Sequence, residues 1–121
     1  MSQSDTLLIV IRSAPHDGIR LRESLDVLLV GAAFGRSVVP LFMGQGVLAL
    51  LPDQKPGAPG QKPTLPIIQM LEMYDIDTLY LSDDDAKAQG LAPTDFVTGA
   101  RMLDAGQIQA LLHDARHVLT F

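Results

Sequence analysis

The segment "TLLIVIR" (Thr6–Arg12) places the tightest constraint on the fold. Residues 7–11 are all Leu, Ile or Val, in a run of strand length. Successive side chains of a strand point to opposite faces, so a run that is apolar at every position must be covered on both sides. Two-sided burial is the habit of parallel sheets, whose crossover helices lie on the two faces. The rest of the chain should therefore supply alternating helices and strands.

It does. "SAPHDG" (Ser13–Gly18) reads as a turn, and Ile19–Phe34 has helical spacing with Leu21, Leu25, Leu28, Leu29 and Ala32 on one face. Arg22 and Asp26 are four apart and placed to pair on the helix surface. The second half of that helix, "VLLVGAAF", is apolar nearly all round, which calls for burial against more than the sheet. Ser37–Met43 reads as a second strand, which Pro40 assigns to a sheet edge or a bulge because it has no N–H to donate. "GQGVLALL" is a short helix, and Pro52–Thr64, with four prolines, an irregular loop. Leu65–Tyr74 is again helical. Asp77–Ser82 is a third strand, and Asp83–Gln89 a short helix closed by Gly90. A fourth strand is expected around Phe96–Thr98. Asp104 should cap a helix over Ala105–Ala115, and "HVLTF" should end the chain as a strand. The expectation is an α/β fold: one domain over residues 1–121, an open, mostly parallel sheet flanked by helices in a flavodoxin-like three-layer α/β/α arrangement.

Composition narrows the chemistry. Net charge is −5 and the nine Lys and Arg are scattered, so no basic face is expected for direct nucleic-acid binding. The chain has no cysteine, which removes disulfides, thiolate metal sites and thiol nucleophiles together. "MSQSDTLLIVIRS" has no basic leader and too short an apolar run for a membrane span, so the expected compartment is the cytoplasm. At 47% hydrophobic residues, the chain carries enough apolar material to leave some for other subunits.

The polar clusters give few catalytic leads. Asp83, Asp84 and Asp85 could hold Mg²⁺ only with carboxylates from neighbouring strand ends, and the first strand ends in Arg12–Ser13. A helix start is favoured, with Ser82 or Asp83 capping free N–H groups. Ser13 and His16 lie in the turn after the first strand, where a ligand or acid–base role competes with plain solvation. His113 and His117 are four apart but should fall on different elements, without a carboxylate companion for a metal. "GQG" (Gly44–Gly46) is half a dinucleotide fingerprint after the wrong strand. No cofactor and no metal are expected.

Several segments together resemble the TusC/DsrF family of sulfur-relay proteins, within the wider DsrE/DsrF-like group. They are "SAPH", "RESLD" (Arg22–Asp26), "LFMGQGV" (Leu41–Val47), "LLPDQKP" (Leu50–Pro56), "MYDID" (Met73–Asp77) and "QGL" (Gln89–Leu91). They occur in the family's order and spacing. The family usually has Asp where this chain has Gln45, which should alter a polar contact but not the fold. In related sulfur-carrying subunits a cysteine stands eight residues before a glycine at the end of the third strand; counting back from Gly90, this chain has Ser82 there. A hydroxyl cannot carry sulfane sulfur, which needs a thiolate and a weak S–S bond. The resemblance thus implies a non-catalytic subunit assembled with TusB-like and TusD-like partners as a dimer of heterotrimers, on the route to 2-thiolation of the tRNA wobble uridine. Alternatives are a DsrF-like subunit in sulfur oxidation, a stand-alone module binding a small anion or nucleotide, and a hydrolase using Ser13 and His16. The isolated chain could also pair with itself. The residues expected at the interface are Arg22, Asp26, Val30 and Tyr74, with Pro52–Thr64 as a docking element.

Overall fold

A computed structural model of the chain describes residues 6–14, 19–51, 70–76, 78–97 and 99–121. Expectations for Pro52–Thr64, for most of Leu65–Tyr74, and for His16, Asp77 and Thr98 lie outside the described residues.

The "TLLIVI" run forms strand β1 (Thr6–Ile11), buried at every position. It is followed by helix α1 (Arg20–Ala33) and strand β2 (Ser37–Phe42). The expected short helix after β2 is a 3-10 helix (Gly44–Leu50), and a second 3-10 turn (Leu71–Tyr74) ends at Asp75 in left-handed conformation. Strand β3 (Leu79–Ser82) runs directly into helix α2 (Asp83–Ala88). Gly90, with φ of 73°, takes the left-handed backbone that ends the helix segment. Strand β4 (Ala100–Leu103), helix α3 (Ala105–Asp114) and strand β5 (His117–Thr120) complete the described elements. Asp104 caps α3 in a reciprocal box: its carboxylate accepts from the Gln107 N–H at 2.8 Å, and Gln107 Oε1 accepts from the Asp104 N–H at 2.9 Å.

The five strands form one sheet in the order β4-β3-β2-β1-β5, every neighbouring pair parallel. β1 lies inside it, between β2 and β5. Its alternate residues serve different cores. Leu7, Ile9 and Ile11 pack with Leu21, Leu25 and Leu28 of α1 and with Val47, Leu50 and Ala86. Leu8 and Val10 pack with Leu41, Leu103 and Ile108 of α3 on the other face. The result is the three-layer α/β/α arrangement.

Three expectations are corrected. Pro40 sits in an interior strand, not at an edge or bulge: β2 has β1 on one side and β3 on the other. It is tolerated because the recorded β2–β3 pairing begins only at Leu41, so no rung toward β3 asks Pro40 for an N–H. The fourth strand is Ala100–Leu103 and does not begin at Phe96. Phe96 is instead a buried loop residue, and the N–H of Val97 donates to the Leu50 carbonyl at 2.9 Å, not to a ladder. Finally, the apolar second half of α1 is only partly covered among the described residues: Leu28 is buried, whereas Val30 and Phe34 are 55% and 82% exposed.

Gly46 fixes how closely the turn after β2 approaches the end of β1. The Ile11 carbonyl accepts from the Met43 N–H at 2.9 Å, and a Cβ on Gly46 would run into that same carbonyl oxygen. Backbone, not a flexible side chain, would have to move. Gly46→Ala is therefore expected to destabilise the chain by about 3 kcal/mol, read as a lower urea midpoint at unchanged m-value; a shift below about 0.5 kcal/mol would show that the turn relaxes freely.

Candidate functional site

In parallel α/β sheets ligands collect at the carboxyl ends of the strands. Here that edge gathers Arg12 and Ser13 after β1, the Gly44–Leu50 turn after β2, and Ser82 with the start of α2 after β3. Ser82 is the N-cap of α2, with extended backbone (φ −75°, ψ 121°), and its Oγ accepts from the Asp85 N–H at 3.2 Å. The side chain sits in a residue only 4% exposed. Of the two capping candidates in the sequence, Ser82 holds the position.

The three aspartates then divide. Asp83 bridges Lys87, one helical turn on, at 3.0 Å. Asp84 is exposed. Asp85 reaches away from its own helix: its Oδ2 accepts from the backbone N–H of Gly44 at 2.6 Å. In a reciprocal capping box that carboxylate would return to the Ser82 N–H. Instead it ties α2 to the turn after β2, joining positions 41 residues apart. Carboxylates turned toward Lys87 and toward Gly44 do not converge on one metal ion. The hydrogen bond with Asp83, reinforced by its charge, holds Lys87 above its ordinary pKa. That small stabilisation is present below the unfolded lysine value and is lost as pH rises through the folded one.

Sequence reasoning missed this tie, because "GQG" reads as the start of a short helix or as half a dinucleotide fingerprint, and neither reading calls for a carboxylate partner 41 residues away. The available signal was a glycine just past a strand end, here at φ 54° and separated from β2 by Met43. A Cβ on Gly44 would stand 3.8 Å from Arg12 Nη2, so the exposed Arg12 guanidinium lies beside the same turn. Gln45, between the two glycines, is exposed, and its side chain makes no recorded hydrogen bond among the described residues. Ser13 is half-buried, while His16 lies outside the described residues. His113 lies in the last turn of α3 and His117 begins β5, both exposed and on separate elements. A cavity of about 180 Å³ lies elsewhere, toward the amino ends of β2 and β3, lined by Val38, Val39, Pro40, Asp75, Ile76, Thr78 and Tyr80. It occupies the region where β2 and β3 have not yet paired.

The remaining sequence candidates lie on two elements that touch each other. α1 packs against the Leu71–Tyr74 turn, and together they expose Ile19, Val30, Phe34, Met70, Met73 and Tyr74. Arg22 and Asp26 do not form the ion pair the spacing suggested: Arg22 is half-buried, with Nη1 enclosed and without a hydrogen-bond partner, while Asp26 is exposed.

The sequence model of the DsrE/DsrF-like family matches residues 5–121. The chain belongs to that family. Within it, the chain is 37% identical to protein TusC of Klebsiella pneumoniae over 113 residues, covering 93% of this chain and 95% of the relative. It is also 37% identical to the TusC homolog of Pseudomonas aeruginosa over 120 residues, covering 99% of each. The crystal structure of the ychN protein from E. coli superposes with a TM-score of 0.81 over the full length of both chains, at 20% identity. That last likeness shows a shared DsrE/DsrF-like fold. The TusC/DsrF resemblance carried by roughly residues 6–91 thus extends through β4, α3 and β5, where the sequence offered only a general pattern.

For this family member the carboxyl edge is organised by Asp85 more than by Ser82. Asp85→Ala should cost about 2 kcal/mol, because it strands the Gly44 N–H and removes a charge-assisted bond. Ser82→Ala, which removes one cap, should cost about 1 kcal/mol. Chemical denaturation of the two variants checks the order; equal losses would mean the tie to Gly44 contributes nothing beyond the cap.

Proposed function

We propose that this chain is the non-catalytic subunit of a heteromeric sulfur-relay complex, which passes persulfide sulfur toward 2-thiolation of the tRNA wobble uridine in the cytoplasm. The reading is supported above all by Ser82, which stands at the carrier-cysteine position of the related sulfur-carrying subunits. Its Oγ is enclosed and occupied as a helix cap, accepting the Asp85 N–H. The chain has no thiol elsewhere to take over the role. Asp83, Asp84 and Asp85 next to that position would repel a persulfide anion. The family's sulfur would then travel on a cysteine of a TusD-like partner, with a TusB-like chain completing the assembly.

The TusC relatives support the tRNA route over the DsrF-like branch. The uncovered apolar surface on α1 and the Leu71–Tyr74 turn supports a subunit over a free-standing module, since obligate interfaces are less polar than a monomer's surface. Arg22, Asp26, Val30 and Tyr74 belong to that region. A second reading, a module binding a small anion, is favoured by one observation: the Arg12 guanidinium beside the Gly44 turn at the carboxyl edge.

Native mass spectrometry of the chain, alone and co-expressed with TusB-like and TusD-like homologues from the same organism, tests the reading. A stable assembly is expected, with sulfur transfer through it unchanged within about twofold by Ser82→Ala. A chain that remains alone, or a tenfold loss on Ser82→Ala, would sink the non-catalytic subunit reading. A melting shift with inorganic phosphate, abolished by Arg12→Ala, would favour the anion module.

A further inference from the structure

We propose that the outward stripe of α1 docks a different protein chain, one that presents a basic side chain between two apolar ones, and not a second copy of this chain. The inference rests on the subunit reading and specifies the chemistry of the partner's surface.

Ile19, Glu23, Asp26, Val30 and Phe34 are all exposed and recur every three or four residues, which sets them in one line along the helix. The buried residues Leu21, Ser24, Leu25 and Leu28 lie on the opposite side. The line spans about 22 Å at 1.5 Å per residue. Its ends are apolar and strongly exposed, Ile19 at 68% and Phe34 at 82%. Its middle carries two carboxylates. Neither is bridged among the described residues, where the recorded ion pair is Lys87–Asp83. The helix's own cations do not serve: Arg22 is half-buried with an enclosed Nη1, and Arg20 projects about a quarter-turn off the line.

A second copy fits badly. A two-fold contact with the helices antiparallel would set Ile19 against Phe34, Glu23 against Val30, and the two Asp26 side chains near the axis. A parallel contact would set each carboxylate against its own counterpart. Either way four carboxylates crowd the centre of the contact, the region most fully stripped of water, with no cation on the stripe itself to pair. The net charge of −5 on each copy adds long-range repulsion. A partner with Lys or Arg at the centre and apolar residues on either side satisfies both features at once.

The test uses the full chain co-expressed with its TusB-like and TusD-like homologues. Glu23→Lys/Asp26→Lys is expected to weaken assembly about a hundredfold, and Asp26→Asn about tenfold, with both variants melting like the unaltered chain because the positions are exposed. Ile19→Cys/Phe34→Cys should not form a disulfide-linked homodimer when the chain is held alone under oxidation. Full assembly by the charge-reversed variant beside a normally assembling parent would overturn the docking proposal while leaving the subunit reading intact. A cross-linked homodimer through α1 would overturn it in favour of self-association. Failure of the unaltered chain to assemble would overturn both.

Discussion

Every described strand of this protein takes its position, directly or through a neighbour, from β1, whose side chains must be buried on two faces at once. Leu8 and Val10 face the α3 core while Leu7, Ile9 and Ile11 face the α1 core, so neither layer can be removed without exposing half of the strand. The strand also supplies both ladders at the sheet's heart, to β2 and to β5. Because both pairings are parallel, the connections must run over the faces, and that requirement brings α1 and α3 to opposite sides. The same geometry collects the strand ends, and with them the polar residues, on a single edge.

At that edge the interactions are structural ones. A short helix such as α2, six residues long, has little cooperative stability of its own. It is held by Ser82 at its start, by the Asp83–Lys87 bridge along its side, and by the reach of Asp85 to Gly44. The last of these couples it to a turn that Gly46 allows to pass against the Ile11 carbonyl. β1, the turn after β2, and the start of α2 therefore form one connected unit, tied by the Met43 N–H on the Ile11 carbonyl and by Asp85 on the Gly44 N–H.

The sequence made the local part of this legible. Unbroken apolarity marked β1, helical spacing marked the buried side of α1, and Asp104 as an N-cap marked the start of α3, because each depends on residues a few positions apart. What escaped depends on distance. Pro40 argued for an edge because its missing N–H is a local fact, whereas the late start of the β2–β3 ladder that excuses it is a tertiary one. Phe96 and Val97 look like strand residues by composition, yet Phe96 is held in the core from a loop whose N–H groups bond elsewhere. The Asp85–Gly44 bond spans 41 residues and leaves no periodic trace. For the candidate site, the helix-start role of Ser82 followed from spacing, but its burial and the separate duties of the three aspartates did not.

The chemistry of position 82 links that edge to the proposed role. An N-cap needs an oxygen that accepts a backbone N–H, a task a serine hydroxyl performs well and a thiol sulfur, a weak acceptor, performs poorly. A persulfide carrier needs the reverse: an accessible, ionisable sulfur free of such duties. Ser82 is enclosed and engaged with Asp85, and Asp85 is itself engaged with Gly44. In the subunit reading, then, the edge that serves a carrier as a workplace has become a point of internal attachment. In the same reading, the surface turned toward other molecules is the far side of α1, where apolar groups and carboxylates stand uncovered among the described residues.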